Sequence, residues 1–166
     1  MSHSHSSLPW LDRLAASLPG YSGYRTAASR RQADQTLRQA VAHRLERAAE
    51  NLRNLRNRSP QRDTLALDRL LDHIERVRQR VLSASAGVSS FFEARDFRDS
   101  KADALHAIDH AMLEVAREFE DLTTSEKYPD HDWLVHAERE LVDLEHKLDA
   151  RAQLHLMAAQ GDASKT

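Results

Sequence analysis

Residues 25–58 read RTAASRRQADQTLRQAVAHRLERAAENLRNLRNR, and this stretch decides the fold. It holds no Gly or Pro, and Ala, Leu, Arg, Gln and Glu, all good helix formers, fill most of it. Its apolar residues Leu37, Val41, Leu45, Ala48, Leu52 and Leu55 are spaced by threes and fours. That spacing puts all six on one side of a helix. At ~1.5 Å per residue the rod is roughly 50 Å long. A rod of that length cannot bury its own apolar row, so other helices must lie along it.

The flanking segments supply them. Leu8 to Leu18 reads as a short amphipathic helix, with Pro9 suited to its first turn. Leu11, Leu14, Ala15 and Leu18 share a face, and Trp10 lies beside it. Pro19-Gly20-Tyr21-Ser22-Gly23-Tyr24 then forms a turn-rich hinge whose two tyrosines are expected to pack. Ser59-Pro60 predicts the start of a helix over 60–87, with Leu67, Leu70, Ile74, Val77, Val81 and Ala84 as its row. Residues 88–99 are irregular, and Phe91, Phe92 and Phe97 are expected to plug one end of a bundle. Ser100 with Asp103 reads as a capping box for a helix over 100–122, with Leu105, Ile108, Met112, Val115, Phe119 and Leu122 inward. Asp130 is expected to cap the last helix, 130–159, whose row is Leu134, Ala137, Leu141, Leu144 and Leu148. Residues 1–7 and 160–166 read as disordered polar ends.

Short connections predict an antiparallel up-down-up-down four-helix bundle with the short N-terminal helix added, in a single domain over 8–159. The composition agrees. The chain has 166 residues, 30% of them charged, with only four Gly and four Pro, which suits long helices rather than a β-sandwich. No cysteine is present, which excludes disulfides and thiolate metal sites. No apolar run reaches the ~20 residues that span a bilayer, and the N-terminus lacks the order of a secretory signal. A cytoplasmic location is expected, with a peripheral position at the inner membrane face as the alternative.

The net charge of −2 hides an asymmetry. Residues 25–58 carry nine Arg against three carboxylates, whereas residues 93–122 carry nine carboxylates against four basic groups. Helices of opposite sign attract when packed together, and they can also attract a second copy.

The search for chemistry is brief. A di-metal bundle needs Glu-x-x-His on two helices, and none occurs. The nearest spacings, Asp103 with His106 and Asp143 with His146, fall on the sides away from the leucine rows, as do His43 and His110. All read as solvated polar groups, while His155 falls on the core side of its helix. Phosphate loops and nucleophile motifs are absent. No catalytic residue, cofactor or metal is therefore assigned. Nucleic acid is disfavoured as a partner, because residues 25–58 hold no aromatic side chain to stack a base.

Two polar positions stand out. Arg30 and Asp34 project near the apolar side of the long helix, where charged groups need partners, and they are expected to tie the Tyr21–Tyr24 hinge to the bundle end. Asp109, at the edge of its row, is a second such tie. The bland alternative for Arg30 and Asp34 is an exposed pair within one helix.

The hinge motif, followed by Arg30-Arg31-Gln32-Ala33-Asp34-Gln35-Thr36-Leu37-Arg38, resembles a family of uncharacterised bacterial helical-bundle proteins with an N-terminal Pro-Gly-Tyr-x-Gly-Tyr hinge. Gly87 to Glu93 and Leu105 to Asp109 are similar to later segments of that family, although Val88 and Ser90 replace its Tyr and Gly. The resemblance runs from residue 8 to about 122. It implies that the hinge, Arg30, Asp34 and Asp109 form one framework, and it brings no reaction, substrate or cofactor.

The function expected is a non-enzymatic scaffold or adaptor that works through protein contacts, including with its own copies. The alternatives are a peripheral membrane protein that inserts Trp10, Leu11, Leu14 and Leu18, and a ferritin-like metal-binding bundle.

Overall fold

The computed structural model describes residues 9–24, 26–59, 64–84, 99–125 and 127–160. Among them are five helices and no strand: α1 (Pro9–Ser17), α2 (Ala27–Arg58), α3 (Leu65–Ser83), α4 (Asp99–Thr123) and α5 (His131–Gln160). The chain is all-α. The expected Phe91–Phe92–Phe97 plug, the Pro60 helix start and residues 1–7 and 161–166 lie outside the described residues, while Gln160, expected in the polar tail, ends α5.

Local chemistry explains the helix ends. Thr26 caps α2: its hydroxyl accepts from the Ser29 N–H at 3.1 Å, and the Ser29 hydroxyl accepts from the Thr26 N–H at 2.8 Å. Ser59 closes α2, its N–H donating to the Arg56 carbonyl, whereas the sequence reading had it open the next helix. Asp130 caps α5 as expected, accepting from the Trp133 N–H at 2.8 Å. Ser100 is not a cap, because α4 already begins at Asp99.

The apolar rows meet in one core. All six row residues of α2 are buried, as are Leu67, Leu70, Ile74, Val77 and Val81 on α3. Leu105, Met112, Val115 and Phe119 of α4 and Ala137, Leu141, Leu144 and Leu148 of α5 join them. At ~25 cal/mol per Å² of apolar surface removed from water, this shared core is the main stabilising term. α2 packs on both α3 and α4, α5 packs on both α3 and α4, and α1 lies on α4.

Charged side chains stitch the seams. Arg44 and Arg47 of α2 both reach Glu120 of α4, at 2.9 and 2.6 Å. Arg56 pairs with Asp68 of α3, and Arg38 donates to the Leu82 carbonyl at the other end of that helix. His73 of α3 lies between Glu138 and Glu145 of α5, and Arg80 reaches Glu145 and Asp149. Arg44, Arg47 and Arg56 of α2 thus meet carboxylates on neighbouring helices. Such partly exposed pairs are each worth only ~0–1 kcal/mol, and they set register more than stability.

Candidate functional site

The polar heart of the molecule is at its hinge end. Leu18 continues α1, its N–H donating to the Leu14 carbonyl, and the Tyr21 N–H then donates to the Leu18 carbonyl to start the turn. Gly20 (φ +85°) and Gly23 (φ +71°) take left-handed conformations that side chains resist. Their turns point both tyrosines inward, and Tyr21 and Tyr24 are buried.

The tyrosines meet charged groups from three helices. Asp34 on α2, Asp109 on α4 and Arg151 on α5 are 1%, 0% and 2% exposed. Arg151 Nε donates to Asp109 Oδ1 at 2.7 Å, its Nη1 to Asp34 Oδ1 at 2.8 Å and its Nη2 to the Tyr24 hydroxyl at 2.9 Å. The Tyr24 hydroxyl in turn donates to Asp109 Oδ2, closing a ring of bonds, and the Tyr21 hydroxyl donates to the same oxygen at 2.8 Å. Asp34 Oδ2 accepts from Arg38 Nε at 2.9 Å. Every partner of the two carboxylates here is a donor, which is the arrangement that makes a buried ion pair tolerable.

The protonation states follow from this geometry. Burial pushes both phenols well above their ordinary value, and the Asp109 charge adds to it; at Tyr24 the Arg151 charge opposes. Burial alone would lower the Arg151 guanidinium, but attraction to Asp109 and Asp34 outweighs it and holds the cation well above its ordinary value. The cluster is a guanidinium held by two carboxylates, with neutral tyrosines closing it.

Two histidines complete the surroundings. The His106 ring stacks on Tyr24 at 5.1 Å and meets Tyr21 edge-on at 6.1 Å. The sequence placed it on a solvated face, but it is buried. The side of α4 away from the core is covered by α1 and the hinge, which a single-helix projection cannot reveal. His110, also expected to face outward, carries the Trp10 ring at 5.1 Å for the same reason. His43 and His146 are exposed, as expected. His155 is buried below the cluster; desolvation first, and then the Arg151 charge, push it down to about 3.

The sequence-predicted residues therefore divide. Tyr21, Tyr24, Asp34 and Asp109 come together in one cluster, and Arg30 is buried on α2 one turn before Asp34. Leu14 and Leu18 are buried against the bundle, Leu11 is half-buried, and only Trp10 remains exposed, with the Arg13 guanidinium over its ring at 5.2 Å. Phe91 and Phe92 lie outside the described residues. The residue missed was Arg151, the hub. Its signal was present: the α5 row 134, 137, 141, 144, 148 continues by three to 151 and by four to 155. An apolar pattern ends at Leu148, although the buried face runs on through Arg151 to His155.

Gly23 fixes how tightly the hinge seats. A Cβ there would lie 2.9 Å from Leu11 Cδ1 and 3.0 Å from His106 Nε2, whereas one at Gly20 meets nothing nearer than Gln32 Nε2 at 3.9 Å. Gly23→Ala is therefore expected to lose about 1–3 kcal/mol in urea unfolding, combining backbone strain with these contacts. Gly20→Ala is expected to lose about 1 kcal/mol, from strain alone. Equal losses would mean that the hinge does not sit against His106.

Among the described residues, no group of three or more His, Asp or Glu is placed to hold a metal ion. No described helix is long and apolar enough to cross a membrane. No protein-family model, curated protein or solved structure matches the chain. The hinge is joined to Asp109 directly and to Asp34 through Arg151 by the bonds described above.

Proposed function

We propose that the chain is a non-enzymatic helical scaffold or adaptor that acts through protein–protein contacts on its helix surfaces. One observation carries this reading: Asp34, Asp109, Arg151, Tyr21 and Tyr24, the groups with most chemical potential, are spent on one another in a buried lock. The lock fastens the N-terminal segment to three helices, which suits a structural role and leaves recognition to the surface. The docking of Leu14 and Leu18 favours the same reading over insertion into a bilayer. If the reading is right, the chain purified under native conditions carries a stoichiometric protein partner or a second copy. A chain that emerges alone and monomeric at every concentration contradicts it.

For the scaffold itself we infer two antiparallel hairpins, α2–α3 and α4–α5, laid side by side. Arg38 near Leu82 and Arg56 near Asp68 support the first, and Asp109 near Arg151 with Lys101 near the Met157 carbonyl supports the second. Asp34 and Asp109 share Arg151 at one end, while Asn51 meets Thr123 further along, so α2 and α4 run in the same direction. This departs from a bundle in which all neighbours are antiparallel. The chain lacks cysteine, which makes cross-linking clean. A short bismaleimide is expected to join Asn51→Cys to Thr123→Cys and to leave Asn51→Cys with Lys101→Cys unjoined. The opposite pattern would reverse the direction of α4.

A further inference from the structure

Six large apolar side chains stay exposed among the described residues, and four of them, Val135, Val142, Leu156 and Met157, lie on the outer face of α5. Val135, Val142 and Leu156 are separated by seven and fourteen residues and Met157 follows Leu156, so the four share one face of that helix, with the exposed Asp149 between Val142 and Leu156. Singly exposed apolar residues need no explanation, but a row on one helix marks a contact surface. The charges around it say what fits. α4 and α5 together carry thirteen carboxylates against five basic groups, and α2 and α3 carry twelve arginines against six carboxylates. The contacts α2·α3 and α4·α5 group helices of like sign, so the molecule has a basic layer and an acidic layer.

We propose that the apolar row of α5 docks on the α2–α3 layer of a second copy of this chain. The proposal rests on the scaffold reading and names one partner for it. Two α5 faces meeting each other would bring acidic layers together, which like-charge repulsion opposes. The complementary arrangement is head to tail. A contact between two different faces leaves one of each unused, so assembly continues beyond the dimer. Its attraction is between solvent-facing charges and is screened by salt, over a Debye length of ~10 Å at 0.1 M and ~3 Å at 1 M.

Sedimentation velocity of the full chain tests this. At low salt the wild type is expected to form species that grow with concentration, and at about 1 M salt to return to monomer. Val142→Lys blocks the apolar row, and the pair Arg69→Glu with Arg76→Glu blocks the basic layer. All three residues are exposed, so helix content by circular dichroism is expected to be unchanged. Each variant alone is expected to lose all species above monomer. Mixed in equal amounts at low salt, the two variants are expected to form a one-to-one dimer and nothing larger, because each retains one working face. A wild type that stays monomeric at low salt overturns the proposal. So does a doubly substituted variant that assembles like the wild type, since α5 would then be pairing with itself. A strictly monomeric wild type that still carries a stoichiometric foreign protein overturns self-assembly alone and leaves the scaffold reading standing.

Discussion

Replacing Arg151 with methionine is expected to destabilise the chain by about 3–5 kcal/mol, the loss typical of stranding buried charge. For a domain of this length that lowers the melting temperature by roughly 10 °C. The guanidinium is the hub through which Asp34 on α2, Asp109 on α4 and the Tyr24 hydroxyl are joined. Without it, two carboxylates stay buried, and only Arg38 and the tyrosine hydroxyls remain to satisfy them. The penalty belongs to the stranded groups and not to the value of the pair, since buried ion pairs are often near neutral against apolar replacements. Adding Asp34→Asn and Asp109→Asn to Arg151→Met is therefore expected to recover part of the loss, and the three substitutions are strongly non-additive. Urea unfolding of the four variants and the wild type measures this. Additive losses would mean that the residues do not form one unit.

Acid is expected to weaken the fold well before carboxylate titration would. His155 has a folded-state value near 3 against an ordinary value of 6.5, because burial and the Arg151 charge disfavour its cation. The sign follows from linkage. Above pH 6.5 the ring is neutral whether the chain is folded or unfolded, and its contribution is fully present. As the pH falls below 6.5 the unfolded chain takes up a proton that the folded chain refuses, and stability drops until the folded value is passed. At ~1.36 kcal/mol per unit, the loss attributable to this ring is about 2 kcal/mol from pH 7 to pH 5 and about 3 kcal/mol by pH 4. Replacing His155 with phenylalanine, which stays neutral, is expected to remove that slope. The comparison is the urea midpoint of wild type and His155→Phe at pH 7 and pH 5. A wild-type slope that survives the substitution would place the titrating group elsewhere.

How far the sequence was legible follows from what periodicity can report. Leu37 to Leu55 and Ile74 to Val81 are buried as their threes and fours required, because each reports only where its own helix faces the core. The pairing of helices and the direction of α4 beside α2 depend on long-range contacts such as Asn51 with Thr123, which no single-helix pattern encodes. The lock was half visible. Asp34 and Asp109 betrayed themselves as charges on apolar faces, and the hinge tyrosines as rings with nowhere else to go. Arg151 did not, because an arginine ends an apolar row to the eye while continuing it in space. His106 escaped for another reason: α1 folds back over the polar side of α4, and that packing is decided by Leu14, Leu18 and the turns at Gly20 and Gly23.

The central claim is that a buried Asp34–Arg151–Asp109 lock, closed by two tyrosines, fastens the N-terminal segment to the bundle. Amide hydrogen exchange of the wild-type chain tests it most directly. With the lock in place, the Leu18 and Tyr21 amides, hydrogen-bonded at the end of α1 and in the turn, are expected to be protected to the degree of the α4 core around Asp109, and to lose that protection in Arg151→Met ahead of the core of α2. Exchange of Leu18 and Tyr21 at the rate of an open chain in the wild type would contradict the account.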